Sequence, residues 1–243
     1  MTTKVVLYDI PSKPPQQAWS LNPWKIRMVL NLKGIDYETV WLEYPDIAPT
    51  LKSYGVPPND RSAPGITADY SSPAIRYEDN TLSMDSWKIV YELEKRYPSP
   101  SLHLDDSIVL KIRDHIDLMR TPLNAHLMPK IPRNLLSKES ATYFESTREI
   151  RFGMPLAQLE EQKANEEAWE KAKRPAEEAA DLLKQHGGPY FLGQTVSYAD
   201  FILVSFLHFV KRIDENVYQR YLDFDPAFAT VYEACRQWLV KDD

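Results

Sequence analysis

The sequence holds one cysteine in 243 residues. Cys235 therefore has no partner for an internal disulfide, and a cysteine-rich metal site is excluded. It lies in the helical pattern VYEACRQWL and reads as buried filler, because a reactive thiol needs an electropositive, partly exposed setting. Glycine is also scarce, at seven residues. There is no GxGxxG, no phosphate-cradling glycine loop and no GxSxG. No apolar run approaches the ~18 residues that span a bilayer. His103, His115, His126, His186 and His208 form no HxxxH pair and show no metal-ligand spacing, so no metal is expected. Basic residues number 29 against 35 acidic, a net charge of −6. That balance argues against nucleic acid or a membrane surface as a partner. The opening MTTKVVLYDI lacks the apolar core and small-residue cleavage site of a secretory signal. Together with the missing disulfides, this predicts a cytoplasmic protein.

What is present is an ordinary globular mixture, 43% hydrophobic and 26% charged, with 19 prolines. KVVLY, 4–8, is a short β-branched run and reads as a buried strand. DIPSKPPQQAWSLN must be loop. A helix follows from Pro23, with Asn22 as N-cap and proline at the first helical position. Trp24, Met28 or Val29 and Leu32 share a face, and Gly34 stops the helix in a left-handed cap. YETVWLEY, 37–44, reads as a second strand, 45–54 as a short helix, and 55–72 as loop. PAIRYEDNTLSM, 73–84, predicts a β-hairpin about Asp79-Asn80. DSWKIVYELEKRYP then gives an amphipathic helix with Ile89, Val90, Leu93 and Tyr97 on one face. Beyond it, helices are expected over 107–126, about 138–149, 157–186, 198–213 and 226–240. Pro175 is expected to kink or break the long helix it sits in.

The order βαβ, then ββα, then helices alone predicts an α/β plus all-α protein. It suggests a thioredoxin-like domain over 1–97, a linker at 98–107 and a helical bundle domain over 108–243. Three stretches then resemble the cytosolic glutathione transferases. Ser72-Pro73-Ala74-Ile75 is similar to the family's V-P-A-L, whose proline is cis. Asp85-Ser86 is similar to its E/D-S pair, and FLGQTVSYADFIL to its LxGxxxSxAD element, where Ser197 and Asp200 form a capping box. EYPDIAPTLKSYGVPP, LSMDSWKIVYELEKRYP and STREIRFGMPLAQLEE further resemble the fungal-specific class A enzymes and the bacterial β-etherases. The resemblance implies a homodimer that uses glutathione for detoxification chemistry. It also implies attack on aromatic electrophiles or aryl ethers, or ligandin-like binding of hydrophobic aromatic compounds with weak turnover.

Such chemistry needs a small donor at the start of helix one to hold the glutathione thiolate. The family pattern S/C-P-F-x-x-R…K-G, counted back from Lys33-Gly34, puts Ser20 at the catalytic position and Lys25 at the basic one. Counted from the proline, Asn22 becomes the donor and Arg27 the basic residue. Tyr8 stands where the tyrosine-using classes keep theirs. Ser20 is favoured, with Asn22 helping, although both would also serve as plain helix caps. Leu21 replaces the family's proline, and the loop before the helix is longer than usual. The resemblance assigns Ser72 and Pro73 to the cysteinyl part of glutathione. It assigns Asp85 and Ser86 to the γ-glutamyl group, whose charges suit a carboxylate and a helix N-terminus. Tyr8, Trp19, Trp24 and Phe152 are expected near the second-substrate pocket, between the two halves.

Overall fold

β1 (Val5–Asp9) is buried along its whole length. Its apolar run shows no alternation because both faces of the strand are covered. In the computed structural model, which describes residues 4–62 and 66–243, β1 lies inside a four-stranded sheet of order β2-β1-β3-β4. β2 (Tyr37–Trp41) runs parallel to it, Val5 facing Tyr37 and Asp9 facing Trp41. A parallel neighbour requires a crossover, which α1 (Leu21–Leu32) supplies. β3 (Ala74–Arg76) and β4 (Leu82–Met84) form the expected hairpin, with Ala74 opposite Met84 and Arg76 opposite Leu82. Asn80 takes φ 65° in its turn, a conformation asparagine tolerates better than most residues. α2 (Ile47–Ser53) follows a 3₁₀ turn at Tyr44–Asp46, and α3 (Ser86–Arg96) follows β4.

Beyond α3 the described residues form helices and two single bridge pairs. The helices are α4 (Ser107–Arg120), α5 (Asn124–Leu127), α6 (Lys130–Asn134), α7 (Lys138–Phe152), α8 (Leu156–Lys163), α9 (Glu166–Lys184), α10 (Tyr198–Ile213), α11 (Glu215–Leu222) and α12 (Ala227–Cys235). α10 is the axis of this half. It is buried on almost every side and packs against α1, α4, α11 and α12. Its capping box is present: Asp200 Oδ2 accepts from the Ser197 backbone at 2.7 Å and from its hydroxyl at 2.9 Å. Asp200 Oδ1 also accepts from Phe191 N at 2.9 Å, tying the preceding turn to the helix. Burial lifts the Asp200 carboxyl to about 6 against those bonds.

Several expectations shift. The stretch 157–186 is two helices, because Asn165 interrupts it and caps α9, accepting from Ala168 N at 3.2 Å. Pro175 leaves α9 unbroken. Proline removes one backbone donor, and the alanine-rich face Ala172, Ala176, Ala179 and Ala180 holds the helix by burial on either side. Short α6 and α11 stand where no helix was expected. The last helix ends at Cys235, followed by a 3₁₀ turn. Cys235 is fully buried, and burial pushes its thiol up.

One buried ion pair joins α1 to the sheet. Arg27 on α1 and Asp9 on β1 meet at 2.9 Å, both wholly buried. Burial pushes the Asp9 carboxyl up against the pull of Arg27. Arg27 Nη1 also donates to Asp243 O at 3.0 Å, and Ala18 N donates to Asp242 O at 2.7 Å. Residues 241–243 are thus laced to the edge of the sheet beside β2, where Lys241 Nζ sits 3.9 Å over the Tyr37 ring.

Candidate active site

α1 begins at Leu21, with Ser20 as N-cap at φ −79° and ψ 138°. This corrects the expected start at Pro23 with Asn22 as cap. A proline fits anywhere in a helix's first turn, where N–H groups have no intrahelical acceptor, so Pro23 does not mark the first residue. Trp24 N bonds to Ser20 O at 3.2 Å and closes that turn. The Ser20 side chain makes no cap hydrogen bond. Its hydroxyl is therefore a donor at a helix N-terminus, partly buried and not consumed by the helix itself. Asn22 lies exposed within the first turn, its Oδ1 accepting from Lys25 Nζ at 3.0 Å. The two registers now differ physically. Lys25 is partly buried and feels the charges of Asp117, Arg120 and Asp85, whereas Arg27 is locked inside the core with Asp9.

The hairpin brings together residues separated by twelve positions in the chain. Because Ala74 pairs with Met84, the residues just outside meet: Asp85 N donates to Pro73 O at 3.3 Å. The Ser72–Pro73 peptide is cis, as the resemblance implied, and the Ser72 hydroxyl donates to Tyr8 O at 3.2 Å. Asp85 caps α3, its Oδ1 accepting from Trp87 N at 3.1 Å, with Ser86 buried behind it. Asp85 holds φ 80°. A non-glycine residue there costs about 1–3 kcal/mol, and such positions gather at ligand clamps. Lys25 feels Asp85 from one side and Asp117 and Arg120 of α4 from the other. Burial lowers its pKa to about 8, Asp117 and Asp85 pulling it up and Arg120 pushing it down.

The pocket residues expected from the sequence do not assemble. Trp19 is 1% exposed, bonded through its indole N–H to Pro11 O at 3.3 Å and stacked on Phe209. Trp24 is fully buried, 4.6 Å from the His208 ring. Both are core under the long β1–α1 loop, which is what large apolar rings near a helix start do by default. Tyr8 faces the side of the sheet away from α1. Successive strand residues alternate; Asp9 reaches α1, so Tyr8 points the other way, where it packs at 5.8 Å on Tyr54. There it lines a cleft of about 340 Å³ with Tyr54, Arg76 and Leu82. Burial and Tyr54 raise its pKa, keeping it a neutral phenol. Phe152 alone remains partly buried at the end of α7, beside Arg151.

Sequence reasoning missed what stands next to Phe152. Arg148 and Arg151 lie one turn apart on α7, and Arg148 sits over Phe144 at 4.0 Å and over Tyr44 at 5.4 Å. The signal was the spacing 144, 148, 151, 152, one helix face carrying two rings and two guanidiniums. Among the described residues no group of three histidine, cysteine or acidic side chains could hold a metal, and no helix is long and apolar enough to cross a membrane.

Fold and site together define a protein that presents a small hydroxyl donor at a helix N-terminus, beside a strand-like cis-proline segment and an acidic helix cap. Sequence profiles agree. One for the glutathione S-transferase N-terminal domain matches residues 19–96, and one for the C-terminal domain of the same family matches 115–238. The chain belongs to the glutathione S-transferase family, in its fungal-type class. The glutathione S-transferase-like protein ustS of Aspergillus flavus is 32% identical over 96% of this chain and 90% of its own. Among solved structures, glutathione transferase GSTFuA2 of Phanerochaete chrysosporium superposes with a TM-score of 0.87 at 29% identity, covering 99% of this chain and all of its own. The glutathione S-transferase CsGST63524 of Ceriporiopsis subvermispora, solved in complex with glutathione, gives 0.86 at 30% identity over 99% of this chain and 100% of its own.

Proposed function

We propose that this chain is a serine-type glutathione transferase in which Ser20 holds the thiolate for attack on aromatic electrophiles or aryl ethers. The observation that carries this reading is the Ser20 hydroxyl at the N-cap of α1, free of any cap bond. A free thiol has a pKa near ~8.5. Lowering it by about two units takes roughly 2.7 kcal/mol of preference for the charged form. A helix N-terminus contributes ~0.3–2 kcal/mol, and a hydrogen bond to a charged group ~1.5–3 kcal/mol. Ser20 and the first turn of α1 supply both. Asn22 assists with its amide N–H, its oxygen being turned to Lys25. The burial of Arg27 in the core, out of a ligand's reach, and the placement of Lys25 among the charges of Asp85, Asp117 and Arg120 support Ser20 over Asn22 as the main donor.

Ser72 and Pro73 take the cysteinyl backbone as an added strand. Asp85 takes the γ-glutamyl ammonium, while Ser86 and the N-terminus of α3 take its carboxylate. In the reaction a carbon–sulfur bond forms as the bond to the leaving group breaks, and a halide or phenolate departs. Serine forms no mixed disulfide, so thiol exchange is outside its chemistry. The reading includes the division at 98–107, a cytoplasmic location and a homodimer. The exposed face shared by α3 and α4 supports the dimer: Tyr91 is 42% and Leu110 44% exposed.

The test is steady-state turnover of 1-chloro-2,4-dinitrobenzene and of a β-aryl ether with glutathione, after retention on immobilised glutathione. Turnover of either, lowered about 100-fold in Ser20→Ala, is the expected result. Retention without turnover would turn the reading to a ligandin-like binding protein. A folded sample that is not retained contradicts glutathione use altogether.

A further inference from the structure

The chain carries a net charge of −6, yet the end of α4 and one face of α7 carry the guanidiniums Arg120, Arg148 and Arg151. Most arginines of the chain are ion-paired to carboxylates; among the described residues Arg148 and Arg151 are not, and of the other two without an ion pair Arg76 bonds Asn80 and Arg212 bonds Gln17. Arg148 donates to the neighbouring Thr147 hydroxyl at 2.8 Å and also hydrogen-bonds the Tyr44 side chain, and neither partner is a carboxylate. Arg120, at the end of α4, has Asp117 at 2.8 Å and Asn124 at 3.3 Å. Arg151 lies exposed one turn along α7 from Arg148, its guanidinium 6.0 Å from the Phe152 ring, and partial burial, with Arg120 and Arg148 adding to it, pushes its pKa below the ordinary value. Asp117 is the carboxylate that acts on this group, and it already serves Arg120 and Lys25. Tyr44, on the loop after β2, closes the side: its backbone N–H donates to Ser140 at 2.9 Å, and its ring lies under Arg148. Two unpaired guanidiniums flanked by Tyr44, Phe144 and Phe152 ask for a planar group bearing negative charge.

Resting on the transferase reading above, we propose that the second substrate is an aromatic carboxylic acid, its carboxylate taken by Arg148 and Arg151 and its ring set against Tyr44 and Phe152. Guanidinium forks match a carboxylate in two parallel hydrogen bonds, which a neutral aromatic cannot offer. This replaces the purely apolar pocket expected from the aromatic content.

The experiment compares 4-chloro-3-nitrobenzoate with its methyl ester, which keeps the ring and its substituents and replaces the charge by a methyl group. Binding of each is measured by calorimetry to protein saturated with S-methylglutathione. The wild type should bind the acid about tenfold more tightly than the ester. In the Arg148→Gln/Arg151→Gln double variant the two should bind within about twofold of each other, while ester affinity holds. Raising the salt tenfold should weaken the acid alone. Equal binding of acid and ester by the wild type overturns the proposal. So does a double variant that loses affinity for S-methylglutathione and keeps its acid preference, since the arginines would then serve the tripeptide's own glycyl carboxylate. Turnover of both compounds with glutathione is followed in parallel. Acid preference in binding with no turnover of either overturns the transferase reading and leaves the acid site standing.

Discussion

Ser20 was within reach of the sequence because the family pattern could be counted back from Lys33-Gly34. What the count left open was the register, and the two readings differ in whether Lys25 or Arg27 is the basic residue. Arg27 is invisible as a core residue until β1 and α1 meet, since a buried arginine is rare and needs a partner far along the chain. Its pair with Asp9 makes a sharp prediction. Asp9→Ala leaves a buried guanidinium unpaired and should cost about 3–5 kcal/mol of unfolding free energy in urea; a loss near zero contradicts the pairing. A second residue-scale prediction concerns Ser20→Cys. With a thiol there, a mixed disulfide with glutathione becomes available, so mass spectrometry after glutathione disulfide treatment should find the adduct at residue 20; none forming would argue that Ser20 lies off the thiol's path. His208 governs part of the acid limb. Burial, helped by Arg212 and Lys211, pushes its pKa down to about 3. The unfolded chain takes up a proton near ~6.5, so between those values the unfolded state holds more protons and stability falls as pH falls. His208→Gln should flatten that slope of unfolding free energy between about pH 6.5 and 4, and an unchanged slope would exclude His208 as its source.

At the scale of elements, legibility followed physical strength. β1, the β3–β4 hairpin, α3 and α10 were readable because burial or a turn residue imposes a period on them. α10 matches the expected 198–213 at both ends, since Ser197 and Asp200 define its start. α6 and α11 were not readable: at five and eight residues they are too short to show a face and exist by packing. The start of α1 was misjudged by two residues because proline is tolerated throughout the first turn. The pocket was misread for a related reason. Composition counts rings, and cannot separate core rings such as Trp19 and Trp24 from rings that would line a pocket. The turn ahead of α10 is rigid for a reason the sequence hides. A Cβ at Gly188 would stand 2.2 Å from Gly193 O. Gly188→Ala must move backbone, and should lower stability by about 1–3 kcal/mol; a thermal midpoint within a degree of wild type would show that the turn gives way freely.

For the whole molecule, the site exists because two halves are held in one geometry. α1 belongs to the sheet half yet packs on α10, while residues 241–243 return to Arg27 and the sheet edge. Lys25 is the point where α1, α3 and α4 meet electrically. The face shared by α3 and α4, with Trp87 stacked by Arg113 at 4.7 Å and Leu110 exposed on α4, is where the proposed second copy is expected to dock. Light scattering coupled to size exclusion should give a dimer mass for the wild type and a monomer mass for Leu110→Glu; a dimer mass for the variant would move the interface elsewhere, and a monomer mass for the wild type would contradict the dimer. The central claim, though, is thiolate activation at Ser20, and the direct measurement is the ultraviolet absorbance of bound glutathione thiolate against pH in wild type, Ser20→Ala and Asn22→Ala. The account predicts a bound-thiol pKa well below the free ~8.5, restored most of the way in Ser20→Ala and only slightly in Asn22→Ala. A shift carried by Asn22→Ala, or no shift in the wild type, would contradict it.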